Sequence, residues 1–172
     1  MTEAAQERRW WPMALACVIA IELLGGASGW LSNSGYENGW FAALRKPAFM
    51  PPGWAFGVVW PILYLLLGVA LAMILAEPRS PRRKAALALF AIQMLLNFAW
   101  SPIFFGAHDI KLGQIVIFAM VVIAAAAAGQ FYRLRKAAGL LMVPYLGWLI
   151  FAAMLNSAID DLNPGAGTSL FG

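Results

Sequence analysis

"WFAALRKPAFMPPGWAFGVVWPILY", residues 40–64, carries three tryptophans and four prolines within 25 positions. Pro47 pushes Lys46 out of helical geometry. Pro51 and Pro52 stop any continuation and open a new helix, where a proline in the first turn costs no hydrogen bond. From Trp54 to Ala76 no charged residue follows, a length sufficient to cross a hydrocarbon core that needs about 20 apolar residues. Pro61 sits inside that run, where it frees a backbone carbonyl one turn earlier, near Gly57, and favours a kink beside Trp60. The stretch therefore reads as a proline-punctuated connection that folds back over a bundle mouth from Trp40 to Met50 and then enters a membrane span.

The rest of the chain agrees with a membrane setting. Of its 172 residues 62% are hydrophobic and 12% charged, and the mean hydropathy is +0.74; soluble domains run near 45–50% apolar and about 25% charged. Five stretches are long and apolar enough to span: residues 11–31, 54–76, 85–105, 112–132 and 137–159. The expected fold is an all-α integral membrane protein, a single domain of five transmembrane helices with a long structured loop, residues 32–53, between the first two. One cysteine, Cys17, excludes an internal disulfide, and one histidine, His108, excludes a site built from several imidazoles or thiolates, so no metal is expected. The basic residues cluster at the ends of apolar runs, which reads as topology rather than nucleic-acid binding.

Nine of the twelve basic residues fall on one side: Arg8, Arg9, Arg79, Arg82, Arg83, Lys84, Arg133, Arg135 and Lys136, against Arg45, Lys46 and Lys111 opposite. The positive-inside rule puts the N-terminus in the cytoplasm and the long loop outside, and helical spans with this bias favour a bacterial inner membrane over an outer one. A signal peptide is the rival reading of the first segment, since "ERRWWP" precedes the run and "GGASG" follows; the length of the run and Glu22 within it favour a span. Arg8–Arg9 alone is too little for a twin-arginine signal.

Lipid offers no hydrogen bonds, so polar and bulky aromatic groups at helical spacing mark the faces turned toward other helices. Gln93, Asn97, Trp100 or Ser101, and Phe104 form such a stripe on the third span; Gly57, Trp60 or Pro61, Tyr64 and Gly68 on the second; Pro144, Trp148, Ala152 and Asn156 on the fifth. Each stripe alone would serve as helix–helix adhesion. Three that converge enclose an aromatic, sparsely polar slot suited to a planar apolar ligand. Glu22 is the one carboxylate inside a span, open to a proton or ligand role or to a hydrogen bond with a neighbouring helix. Gly25 and Gly29 have the G-x-x-x-G spacing of close helix approach, and the "AAAAAG" run, residues 124–129, serves internal packing or a dimer contact. Trp10 and Trp11 read as an interfacial belt.

In "LGGASG", "WFAALRKPAFMPPGWAFGVVWPILYLLLG", "NFAWSPIFFG" and "VPYLGWLIFAAMLN", in that order and spacing, the chain resembles the TspO/translocator protein family, the tryptophan-rich sensory proteins related to the peripheral benzodiazepine receptor. The match runs from about Leu23 to Asn163. The resemblance implies a five-helix bundle, often a homodimer, that binds porphyrins such as protoporphyrin IX and haem, together with sterols and benzodiazepine-type ligands, under the first loop; no further cofactor is implied. It places the tryptophans tied to porphyrin chemistry at Trp60 and Trp148, and further pocket positions at Trp40, Trp54, Asn97, Trp100, Phe104, Tyr145 and Ala152; Tyr64 joins them from its stripe. Two departures stand out. The fifth span ends "MLNSAIDDLNPG", without the tyrosine and basic residue of the sterol-recognition pattern, and Phe49 replaces the family's usual aromatic in "KPxWxPP", which loses an indole N–H.

Three functions follow. The first is a tetrapyrrole-binding receptor in tetrapyrrole regulation or stress sensing, with the macrocycle in the slot; Arg45 and Lys46 either pair with its propionates at the outer mouth or serve as topology charges. The second is light-dependent degradation of the bound porphyrin. No acid–base pair or nucleophile triad is visible, so Trp60 and Trp148 would be the catalytic residues. The third is transport of tetrapyrroles or sterols, against which stand the uneven helix count and the lack of an ion-coupling cluster beyond Glu22. His108 as a haem axial ligand is a minor option.

Overall fold

The computed structural model describes residues 3–167, with side chains from Trp10 onward; Arg8, Arg9 and the segment 168–172 lie outside what it describes at that level. Seven α-helices follow in order: α1 Glu3–Leu31, α2 Gly39–Ala43, α3 Gly53–Leu75, α4 Pro81–Ser101, α5 Ile110–Leu134, α6 Lys136–Leu141 and α7 Val143–Leu162, with a π-helical turn, Pro102–Gly106, continuing α4. Five of the resulting rods, with α4 joined to the π turn and α6 to α7, are long and apolar enough to cross a membrane. The chain is a multi-pass, all-helical membrane protein. Its observed spans differ from those read in the sequence by four residues at most.

The ends of the rods are closed by side chains that satisfy the backbone groups a helix terminus leaves unpaired. Ser80 accepts from the Arg83 amide at 3.1 Å and Asp109 from the Leu112 amide at 2.9 Å, the N-cap arrangement. Arg83, counted above as a topology charge, also caps α3 by donating through Nε to Ile74 O (2.9 Å) and through Nη2 to Leu75 O (2.8 Å). Ser80 and Pro81 start α4 earlier than the expected 85, because Arg82, Arg83 and Lys84 ride its first turn.

Pro102 carries no N–H, so the Phe98 carbonyl four residues back loses its helical donor. The Ser28 hydroxyl of α1 donates to that carbonyl at 2.5 Å. The ladder re-forms with π spacing, Ala107 N to Pro102 O at 2.8 Å, a bulge that aims Phe104 and Phe105 into the bundle.

Packing assigns the glycines distinct jobs. At Gly68 a Cβ would stand 2.6–2.8 Å from Val18, backbone included, so α1 and α3 pack here with no space for a side chain. Gly25 does not meet a helix backbone as the G-x-x-x-G spacing anticipates; the Tyr64 ring occupies the space its Cβ would take. The alanine-rich run divides, with Ala124, Ala127 and Ala128 buried and Ala125, Ala126 and Gly129 exposed. The main core joins α3 to α7, with Phe90 and Phe131 stacked at 5.4 Å. A second core, Phe41, Leu44, Phe104, Phe105, Ile110, Leu155 and Ile159, fastens the first loop to one end of the bundle.

Candidate functional site

The first loop is a closed lid. Asn38 accepts from the Phe41 amide at 3.0 Å, starting α2, and donates to Phe105 O at 3.3 Å, which ties α2 to the π turn. Arg45 and Asn163 hold each other through two 2.8 Å bonds, Arg45 N to Asn163 Oδ1 and Asn163 Nδ2 to Arg45 O. Trp40 Nε1 donates to Ala166 O at 3.0 Å, and Tyr36 donates its hydroxyl to Pro51 O at 2.8 Å. Phe49 keeps an aromatic contact, edge-on to Phe151 at 6.3 Å.

Beneath this lid lies a cavity of about 630 Å³ between α1, α3, α4, α5 and α7, in the range of roughly 300–1,000 Å³ typical of small-molecule sites. Trp54, Trp60, Tyr64, Asn97, Trp100, Phe104, Trp148 and Ala152, all marked in the sequence, line it. The aromatic wall is built from two groups of touching rings. Trp60 meets Trp148 edge to face at 6.4 Å, Phe56 meets Trp148 at 5.7 Å, and Trp100 stacks on Phe104 at 4.9 Å. Trp54 stands at the rim, 72% exposed.

Trp40, Arg45, Lys46 and Tyr145 stand outside the lining. Trp40 stacks on His108 at 4.5 Å and reaches Phe104 edge-on, so it buttresses the lid from behind, and His108 does not line the cavity either. The Lys46 ammonium, expected at a ligand carboxylate, instead donates to Phe41 O, Ala42 O and Leu44 O at 2.6, 3.1 and 2.9 Å. It caps the C-terminus of α2, where a cation answers the unpaired carbonyls, and it lies 4.7 Å from the centre of the Phe41 ring. Burial holds its pKa below the ordinary lysine value. Tyr145 is wholly buried behind the wall.

There it closes a relay of hydrogen bonds: Tyr64 Oη donates to Asn97 Oδ1 (2.8 Å), Asn97 Nδ2 to Tyr145 Oη (3.1 Å), and Tyr145 Oη to Gln93 Oε1 (2.8 Å). The relay ties α3, α4 and α7 together and fixes the Tyr64 ring and the Asn97 amide, both of residues that line the cavity. Sequence reading left out Phe56, Phe41, Met50, Tyr36 and Glu37, which also line it. Phe56 had a usable signal, one turn before Trp60 and two before Tyr64 on the same face; the lid residues had none, since their placement depends on how the loop folds.

A closed lid over an aromatic cavity inside five membrane-spanning rods defines a membrane protein of the binding or sensory class. The profile of the TspO/MBR family matches residues 15–162. The chain is 36% identical over 153 residues to the tryptophan-rich protein TspO of Chlorobaculum tepidum, covering 88% of this chain and 97% of that one. It is 33% identical over 152 residues to protein CrtK of Rhodobacter capsulatus (88% and 90% covered). With the translocator protein of Sus scrofa it shares 35% over 152 residues (86% and 90%). The chain belongs to the TspO/MBR family.

Proposed function

We propose that this protein is a membrane receptor for porphyrins, protoporphyrin IX and haem among them, and for related planar apolar ligands. The observation that carries the reading is the aromatic wall: Trp60, Trp100, Trp148, Phe56 and Phe104 form the sides of a lidded cavity whose polar groups are few. Flat rings present faces and edges to a flat ligand over a large area, which is where such sites draw their affinity. Glu37 is the ionisable carboxylate in the lining, and among the described residues no lysine or arginine joins it. The propionates of a bound porphyrin therefore point out past the lid toward water and lipid headgroups rather than into a basic clamp. The positive-inside bias adds an N-terminus on the cytoplasmic side of a bacterial inner membrane.

Titration of the purified protein in lipid nanodiscs with protoporphyrin IX in the dark tests this. Saturable quenching of tryptophan fluorescence is the expected result, weakened at least tenfold by Ala152→Phe, which fills the cavity; quenching that never saturates, or that the substitution leaves unchanged, refutes it.

The edge-to-face contact of Trp60 and Trp148 at 6.4 Å favours a second reading, light-dependent loss of the bound porphyrin with these oxidisable indoles as participants. Illumination of the same complex checks it. The double Trp60→Phe, Trp148→Phe variant should stop bleaching while retaining most of the dark binding, and unchanged bleaching excludes the indoles.

A further inference from the structure

The chain leaves α7 at Asn163 and runs back along the lid. Three hydrogen bonds join this tail to the lid: Arg45 N to Asn163 Oδ1 and Asn163 Nδ2 to Arg45 O, both 2.8 Å, and Trp40 Nε1 to Ala166 O at 3.0 Å. Trp40 is the second residue of α2 and Arg45 lies two positions past its end, so the tail is fastened at both ends of that helix. Its own course is set from α7. Asn163 N donates to Asp160 O and Ala166 N to Asn163 O, both at 3.1 Å, and Asn163 Nδ2 also reaches Ile159 O at 2.7 Å. Between them Gly165 turns the chain with φ +79°, where a Cβ is disfavoured.

Gly167 lies against the start of α5. A Cβ there would stand 3.1 Å from His108 O and 3.4 Å from Ile110 N, and the His108 ring is the one on which Trp40 stacks at 4.5 Å. The tail therefore bridges the lid, the turn before α5 and the end of α7. The two holds on the lid differ in kind. Phe41 and Leu44 are buried in the core beneath α2, a hydrophobic hold. Residues 164–167 are exposed, so hydrogen bonds rather than burial fasten the tail. Trp40, Arg45, Asn163, Ala166 and Gly167 all stand outside the cavity lining, so a ligand beneath the lid neither makes nor breaks these bonds.

We propose that residues 163–167 are a strap that sets how fast the lid opens, and with it how fast a ligand enters and leaves, but not how tightly it is held. A contact made only in the closed lid and independent of the ligand slows entry and release by the same factor, which leaves their ratio unchanged. The effect on ligand rates rests on the cavity being the ligand site; the effect on lid opening does not.

Two measurements on the full chain in nanodiscs test the strap. The first is amide hydrogen exchange without ligand. The amides of Phe41, Ala42 and Leu44 are bonded within the lid, to Asn38 Oδ1, Asn38 O and Phe41 O, and report its opening. Asn163→Ala, which removes two of the bonds, should speed their exchange about tenfold, and Trp40→Phe, which keeps a ring and removes the donor, about threefold. The double variant should reach about thirtyfold, while amides in the middle of α3 and α5 keep their wild-type rates. The second is stopped-flow mixing with protoporphyrin IX. Association, read by tryptophan quenching, and dissociation, read by chase with apo-myoglobin, should rise by the same factors, with Kd held within about twofold. Unchanged lid exchange in the double variant overturns the strap, whatever the ligand. Faster dissociation at an unchanged association rate also overturns it, because the tail would then be holding the ligand itself. Lid exchange that speeds as expected in a protein that fails to bind protoporphyrin IX refutes the porphyrin reading and supports the strap.

Discussion

Tyr145→Phe isolates what the buried relay contributes, because it removes a single oxygen that makes two hydrogen bonds and touches no ligand surface. Without it Asn97 Nδ2 loses its acceptor and Gln93 Oε1 its donor. Gln93 is fully buried and its Nε2 already has no partner, so its whole amide would be stranded. Interhelical hydrogen bonds in membrane bundles average about 0.6 kcal/mol and reach about 1.7, while a buried group left unpaired costs about 1–3 kcal/mol. With two groups stranded in a dry site, a loss of about 2–3 kcal/mol is expected. Tyr64→Phe is the internal comparison. It strands Asn97 Oδ1 alone, on a residue that faces the cavity where water can reach it, so about 0.5–1 kcal/mol is expected. Reversible unfolding by SDS in mixed micelles, followed by helical circular dichroism, measures both. The reasoning is refuted if Tyr145→Phe proves as mild as Tyr64→Phe, or if it weakens porphyrin binding without lowering stability.

Asn163→Ala removes both bonds of the lid clasp and should speed porphyrin dissociation about tenfold, the equivalent of two partly exposed hydrogen bonds; stopped-flow chase with excess apo-myoglobin reads it. Lys46→Ala uncaps α2, so it should weaken neutral and carboxylated porphyrins alike, and a loss confined to carboxylated ones in matched titrations would restore the ion-pair role. Gly68→Ala sets a methyl against the Val18 backbone and should cost at least about 2 kcal/mol in SDS unfolding, in line with overpacking. Burial raises the Tyr36 pKa. Its protonated, hydrogen-bonded form therefore favours the closed lid below the ordinary tyrosine value of about 10, and that contribution is lost as pH rises through the higher folded-state value. Porphyrin dissociation should accelerate at that alkaline edge in the wild type, and Tyr36→Phe should lack the step.

Sequence alone placed the five spans because length and apolarity decide them, and it erred at the third where polar chemistry intervened. Arg82, Arg83 and Lys84 read as connection, yet Ser80 and Pro81 start the helix before them, and Arg83 turns back to cap α3. Pro102 had the same double character. As a proline in an apolar run it marked a lost donor, but only the arrival of Ser28 from α1 and the π spacing show how the loss is met. The cavity was legible where a helical face repeats, as in the Trp60–Tyr64 and Trp148–Ala152 pairs. It was illegible in two other respects. Tyr145 lies one position off the Trp148 row, enough to turn its ring behind the wall, and the lid contacts of Trp40 and Lys46 depend on a five-residue helix held by Asn38 and by a tail residue more than a hundred positions away.

The reassignment of Lys46 changes how charge enters recognition. A basic lid would favour carboxylated ligands and bind them in a salt-dependent way. Here the ammonium is spent on three carbonyls of its own lid, and the lining holds a carboxylate, Glu37, instead. Charge then acts on the shape of the site rather than on its occupant: neutralising Lys46 would unravel the lid before it altered any field at the ligand. Discrimination falls to the walls, through ring area at Trp60, Trp100 and Trp148. A cavity built this way reads the flatness of a molecule.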